Sequence, residues 1–479
     1  MALDDASYSP ARQRWTLVLA SVASFMVGLD VLVITTALPT LHQELAADTA
    51  ALGWTINAYE IGFAALILTG AALGDRYGRR LWFLIGVAIF TVGSVWCALS
   101  STIGMLIAAR ALQGIGGGIA TALALAVIAA ATPPARRGAA FGIWGAITGL
   151  AVAVGPLVGG AVIEGFDWQW IFWLNVPVGL LLIGLSLVKI SESRGESKPV
   201  DILGLVLSTA GVIVLAHALI RAGDIGWTKP SVIAGLVVGV VLIVAFLLWQ
   251  RRAAAPMMPL GIFRNLSLAG GSGASFALGA ALYGGGFLLA QYLQLALGYD
   301  PLEVGIRLLP WVALAPLVSP IAGRVADRIG ERPLVALGLF LFAVGFLLIG
   351  TRATAQDGYG KIMLPLFIAG VGVATAFPTI ASAVMRSVEP AHVGIASGIS
   401  NTSRHVGAVF GVAVAAAVFS TFGGYRSPQQ FADGFGPALI VLAVITLVGL
   451  IPALIIRPPA TEASPAVSGR QQDADVMRG

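Results

Sequence analysis

Leu73-Gly74-Asp75-Arg76-Tyr77-Gly78-Arg79-Arg80 and Val325-Ala326-Asp327-Arg328-Ile329-Gly330-Glu331-Arg332 are two copies of one pattern, apolar-small-Asp-Arg-x-Gly-x-Arg. Each copy is a short charged interruption between long apolar runs. Outward from these loops, apolar runs recur near 15–38, 51–73, 81–100, 103–131, 138–162, 170–190, 202–220, 231–250, 266–297, 301–323, 334–351, 361–385, 394–422 and 436–456. About 20 predominantly apolar residues suffice to cross a bilayer as a helix. The reading is therefore an all-α membrane protein of fourteen spans. The two loops follow spans 2 and 10, so they lie eight spans apart. Two six-helix bundles reproduce that offset only with two helices inserted between them. Spans 7 and 8 are the natural insert, because they follow the polar linker Ser191 to Asp201 and precede the loop around Pro256 and Pro259. The expected division is 1–190, a first bundle; 191–264, linker and inserted helices; 265–457, a second bundle; and 458–479, a disordered cytoplasmic tail.

Composition agrees. Of 479 residues 58% are hydrophobic and 11% charged, against roughly 25% charged in a soluble chain. The sixty glycines suit helices that approach closely in lipid. The single cysteine, Cys97, excludes an intrachain disulfide and a Cys-rich metal site. The 28 basic residues also orient the chain. With the N-terminus inside, Arg221, Lys229, Arg352, Lys361 and Arg426 fall outside, Arg110, Arg307 and Arg404 fall within spans, and all the others are cytoplasmic. This asymmetry explains the net charge of +5 without a nucleic-acid partner. The run from Trp15 to Pro39 follows Arg12 and Arg14, is too long for a cleavable signal core, and reads as the first span. Both termini are then cytoplasmic. None of the four lysines is followed by Ser or Thr, so there is no Walker A lysine for an ATP-driven pump.

Several stretches resemble the major facilitator superfamily, and within it the fourteen-span drug:proton antiporters of the EmrB/QacA type. Leu29-Asp30-Val31-Leu32-Val33-Ile34-Thr35-Thr36-Ala37-Leu38-Pro39 is similar to the family's acidic span-1 motif. The Asp-Arg loops resemble its cytoplasmic loop motif, with Ala71 where glycine is usual and Gly323 at that place in the second copy. Arg110-Ala111-Leu112-Gln113-Gly114 resembles the span-4 arginine motif, and Gly149 through Gly155-Pro156-Leu157-Val158-Gly159-Gly160 the antiporter motif. Trp170 to Pro177, and Gly394 to Gly398 with Asn401 and Arg404, also fit. The likeness spans nearly the whole chain. It implies a multidrug efflux carrier of the cell membrane conferring antibiotic resistance. Such a carrier acts as a monomer, needs no cofactor, and is driven by the proton gradient.

The residues able to couple protons to cargo are few. An ionised group at the bilayer centre costs about 2.5–3.5 kcal/mol on insertion scales, so one kept there has a partner, a wet cavity or a task. Asp30 reads as roughly 12 Å and Glu60 as roughly 13 Å below the outer surface. Competition of proton and cationic cargo for Asp30, or for Asp30 and Glu60 together, produces antiport. Arg110 lies at similar depth and serves either proton transfer or a structural ion pair with one of the two acids. The resemblance gives Asp75, Arg76 and Arg79 a gating role as a latch favouring the outward-facing form, with Asp327 and Arg328 as the second copy. Gly149, Gly155, Pro156 and Gly159 form a pliable or tightly packed helix face. Asn57, Tyr59, Tyr283, Gln291, Gln294, Arg307, Trp311, Asn401 and Arg404 are candidates to line a cavity. His405 also lies in a span, with no deep carboxylate evident in the second bundle to pair with it. The expected function is proton-coupled export of amphipathic, cationic small molecules. A lipid or metabolite carrier of the same fold and a non-transporting receptor are the alternatives, and no catalytic set points to an enzyme.

Overall fold

In lipid a spanning backbone must satisfy its own polar groups, so runs of this composition become helices. The computed structural model describes residues 9–457 apart from 134–135, 196–198, 200, 257, 259, 357 and 389–392. The expected disordered tail lies outside the described residues. The order is α1 Pro10–Glu44, α2 Thr49–Tyr77, α3 Arg79–Ala98, α4 Ile103–Ala131 and α5 Arg137–Gly165. The sixth span is broken into α6 Trp170–Trp173 and α7 Asn175–Lys189; α8 Ile202–Ile225 and α9 Pro230–Gln250 follow. Then come α10 Leu266–Gln291, α11 Pro301–Val312 and α12 Ala315–Ile329 as one interrupted span, α13 Glu331–Arg352, α14 Gly360–Arg386 and α15 Val393–Phe422. A last broken span consists of α16 Pro428–Val448 and α17 Leu450–Leu454. Among the described residues thirteen helical stretches are long and apolar enough to cross a membrane, and Val154–Gly165 is a further apolar stretch inside α5.

Helix ends depart from the apolar runs where capping decides them. α16 begins at Pro428, well before residue 436, because the Ser427 hydroxyl accepts from the Gln430 amide at 3.2 Å and proline suits a first turn. α1 continues past Pro39 to Glu44. Asp30 is therefore about 21 Å from the end of its helix.

The same pairings recur eight spans apart. α1 packs on α5 and α3 on α4; α10 packs on α15 and α13 on α14. Glycines allow the contacts. A Cβ on Gly114 of α4 would lie 2.1 Å from the Tyr59 carbonyl oxygen of α2, and one on Gly411 of α15 would lie 2.0 Å from that of Ala280 in α10. Both obstacles are backbone, which cannot swing aside. Gly114→Ala is expected to cost about 1–3 kcal/mol, read as a lower unfolding midpoint of the purified protein. Gly104→Ala, whose Cβ would meet nothing within 4 Å, should leave that midpoint unchanged.

α8 lies across one seam between the halves. Its Leu219 and Ile220 pack with Ala413 and Val414 of α15 and against Trp54 of α2. α9 packs chiefly on α8, and its Val237 and Val241 are more than half exposed, which fits a lipid-facing surface. For orientation, the loop face carries Asp75 and Glu331, and the far face carries the α1–α2 and α15–α16 connections.

Candidate functional site

Asp30 sits on α1 with its side chain bonded by two other spans of the first half. Its Oδ2 pairs with Arg110 Nη1 of α4. Its Oδ1 accepts from Gln113 Nε2 and from Asn175 Nδ2, each at 2.8 Å. Local sequence explains the convergence. Gln113 follows Arg110 by one helical turn, so both project from one side of α4. Asn175 stands at the break between α6 and α7, where Pro177 denies the preceding turn a backbone donor. Arg110 is further held by Gln113 Oε1 at 2.7 Å and the Thr55 carbonyl at 3.2 Å, and lies 4.3 Å from the centre of the Tyr59 ring. Asp30 and Arg110 are fully buried. Each Asp30 oxygen is engaged, so the carboxylate is compensated where an isolated charge would be prohibitive.

Glu60 does not share this network. It projects from another side of α2, and its Oε2 meets His405 Nδ1 of α15 in the opposite half. Both residues are buried. Phe63 lies tilted against the imidazole at 4.0 Å between centroids and the Tyr283 ring lies 6.3 Å away. Arg404 places Nη2 3.5 Å from His405 Nε2, with its guanidinium 4.8 Å from the Phe377 ring centre. The carboxylate expected to be missing near His405 and Arg404 comes from the other half of the chain.

The halves also meet toward the far face. Gln294 donates to the Thr36 carbonyl at 2.9 Å, and Tyr425 stacks on His42 at 4.2 Å while donating to Gln291 Oε1 at 2.7 Å. Burial raises the Tyr425 hydroxyl above its ordinary pKa, so it remains a donor throughout the physiological range. Two glycines interlock α5 and α11. A Cβ on Gly160 would lie 2.3 Å from the Pro301 carbonyl oxygen, and one on Gly305 would lie 2.6 Å from that of Pro156. Gly155 and Gly159 instead face Leu32 and Thr36 of α1; the Gly149 position lies outside the described side chains. These contacts make this a form closed on the far face.

At the loop face Arg79 Nε bonds Asp75 Oδ1 at 2.7 Å. Glu192, from the stretch after α7, accepts from the Arg80 and Leu81 amides at 3.0 and 3.2 Å, capping α3. Arg76 lies 5.2 Å from the Tyr77 ring centre. In the second copy Arg328 is exposed and the Asp327 side chain lies outside the described set. There Glu331 is the engaged acid, bonding Arg386 at 3.2 Å and Ser382 at 3.0 Å. Arg307 lies near the far face, paired with Glu303 at 3.3 Å and 3.7 Å from the Tyr299 ring centre. Trp311 is buried with Nε1 unpartnered, and Asn401 reaches Ser397 at 3.5 Å.

Two similar helical halves facing each other around buried charge at mid-depth define a secondary membrane carrier. Known proteins agree. The family model described as Major Facilitator Superfamily matches residues 20–293 and 272–476. The chain is 34% identical over 412 residues to the multidrug resistance protein Stp of Mycobacterium tuberculosis (strain CDC 1551 / Oshkosh), covering 86% of this chain and 76% of that one. It is 31% identical over 420 residues to the tetracenomycin C resistance and export protein of Streptomyces glaucescens, covering 87% and 78%. A crystal structure of a peptide transporter in complex with sulfate superposes with a TM-score of 0.66 at 18% identity, covering 96% of this chain and 100% of that one. The chain belongs to the Major Facilitator Superfamily. The expected family and the all-α fold of this superfamily are borne out, with thirteen rather than fourteen spanning stretches meeting the length and hydropathy needed among the described residues, and the protein is a multi-pass transporter of the cell membrane rather than an enzyme.

Proposed function

We propose that this carrier exports amphipathic, cationic drugs in exchange for protons, with both termini cytoplasmic and the far face outside. The observation that carries the reading is Asp30, a fully buried carboxylate at mid-depth held by Arg110, Gln113 and Asn175. A proton on Asp30 removes the ion pair and leaves Arg110 to Gln113 and Thr55. The first half then has two arrangements of the same groups, one for each protonation state. The names of the multidrug resistance and tetracenomycin C export relatives support drugs as cargo. The Asp75–Arg79 loop bonds within the first half in this far-face-closed form, which fits a latch that engages the second half only when the far face opens. The monomer, the absence of a cofactor, and the domain division 1–190, 191–264 and 265–457 belong to the same reading.

The test uses inverted membrane vesicles, whose lumen corresponds to the cell exterior. Acidifying the lumen should drive uptake of ethidium, and a protonophore should abolish it. Uptake that ignores the gradient would make the protein a facilitator, the reading under which Asp30 and Arg110 are a purely structural pair.

A further inference from the structure

The two buried acids differ in what they leave open. Asp30 has both oxygens engaged by donors of its own half. Glu60, equally buried, uses only Oε2, and its Oε1 has no partner. One turn nearer the far face on α2, the Asn57 side chain is wholly buried with both its oxygen and its nitrogen unpartnered. Gly53, a further turn along, faces Ala416 and Val412 of α15. Gly53, Asn57 and Glu60 therefore form one stripe of α2 turned toward the opposite half. A buried carboxylate oxygen and a buried amide without partners are costly to keep. The cost is recovered when a ligand supplies the missing partners.

We propose that Glu60 and Asn57 are the anchor for an amino N–H group of a cationic cargo, and that the cargo competes with His405 for the Glu60 carboxylate. The cargo class is an aromatic cation carrying amino groups. Its amino N–H donors reach Glu60 Oε1 and Asn57 Oδ1, and its ring packs with Phe63 and Tyr283. The labour is divided: Asp30 takes the proton within one half, and Glu60 takes the cargo between halves. His405 is a positioning residue. In this structure it ties α15 to α2, and it yields the carboxylate on loading. Because the tie spans both halves, loading weakens a contact that the far-face-closed form makes between them, and a ligand shifts the equilibrium through such differences. Arg404 and Tyr283 are the other titratable groups against the imidazole, and Tyr59 lies beside Glu60 on α2.

The inference rests on the exporter reading but is tested without a gradient, by ethidium binding to the full-length purified protein. Glu60→Gln should raise the Kd at least about tenfold. His405→Gln should lower it about fivefold by replacing the imidazole with a weaker competitor for the carboxylate, whereas a merely structural histidine would make binding weaker when lost. Asn57→Leu should weaken binding about fivefold while leaving the unfolding midpoint unchanged or higher, since it deletes only unpartnered atoms. An unaltered Kd in Glu60→Gln, weaker binding in His405→Gln, or no ethidium binding by the unsubstituted protein overturns the proposal. If Glu60→Gln does not fold, the Asn57→Leu pair of readings decides alone. Failure here with intact gradient-driven uptake removes the Glu60 assignment only; failure of gradient dependence with these Kd changes intact removes proton coupling only.

Discussion

Asp30→Asn is expected to abolish gradient-driven ethidium uptake in inverted vesicles while the protein remains inserted. Asparagine keeps the shape of the aspartate and can still meet Gln113 and Asn175, but it cannot gain or lose a proton. The substitution leaves the Arg110 charge buried without its counter-ion, which costs on the order of 3 kcal/mol. Arg110 cannot discharge itself, although Gln113, Thr55 and the Tyr59 ring still hold it. The unfolding midpoint should therefore fall. The double variant Asp30→Asn/Arg110→Gln should recover most of that loss and none of the transport. Full uptake by the single variant would remove Asp30 from the coupling step. Recovery of uptake by the double variant would do the same.

Gly305→Val should hold the carrier open on the far face. In this form Gly305 lies against the Pro156 carbonyl oxygen and Leu157 Cα, both main-chain atoms of α5. Valine needs space that only separation of α11 from α5 provides. Overpacking of roughly 2 kcal/mol against this form alone shifts its population about 30-fold. Thr35 reports the change, because it is buried on α1 and its Cγ2 would lie 3.9 Å from a Cβ on Gly286 of α10, across the seam. In a Thr35→Cys background, Gly305→Val should speed labelling by a membrane-impermeant thiol reagent at least tenfold and suppress transport. The native Cys97 is buried and stays silent. Unchanged labelling would mean that the α5–α11 contact does not close the far face.

The chain's periodic apolar runs and its two Asp-Arg loops were enough to establish helices, spans and a repeat offset by eight. Those features follow from burial in lipid and from local backbone satisfaction, which act on contiguous residues. The motif around Arg110 likewise placed Gln113 one turn away, where it helps hold Asp30. Other functional contacts had no local signal. Asn175 reaches Asp30 from a helix break 145 positions away, and its motif was visible without its target. Glu192 caps α3 from beyond α7. The Gly-rich stretch of α5 was legible as a close-packing face, but not that Gly155 and Gly159 face α1 while Gly160 faces the other half.

Glu60 and His405 show the limit most clearly. Each was recognisable as a polar group within a span, and depth along the helix axis was approximately readable from the rise per residue. Whether two such groups meet depends on rotation about each helix axis and on how the two halves dock, and neither is encoded in hydropathy. The sequence by itself determined that this is a helical carrier with a buried acid in each of its first two spans. Only the tertiary structure decided that Asp30 is saturated within one half while Glu60 is left half-open between two, because side-chain partners in a bundle are chosen by packing across helices.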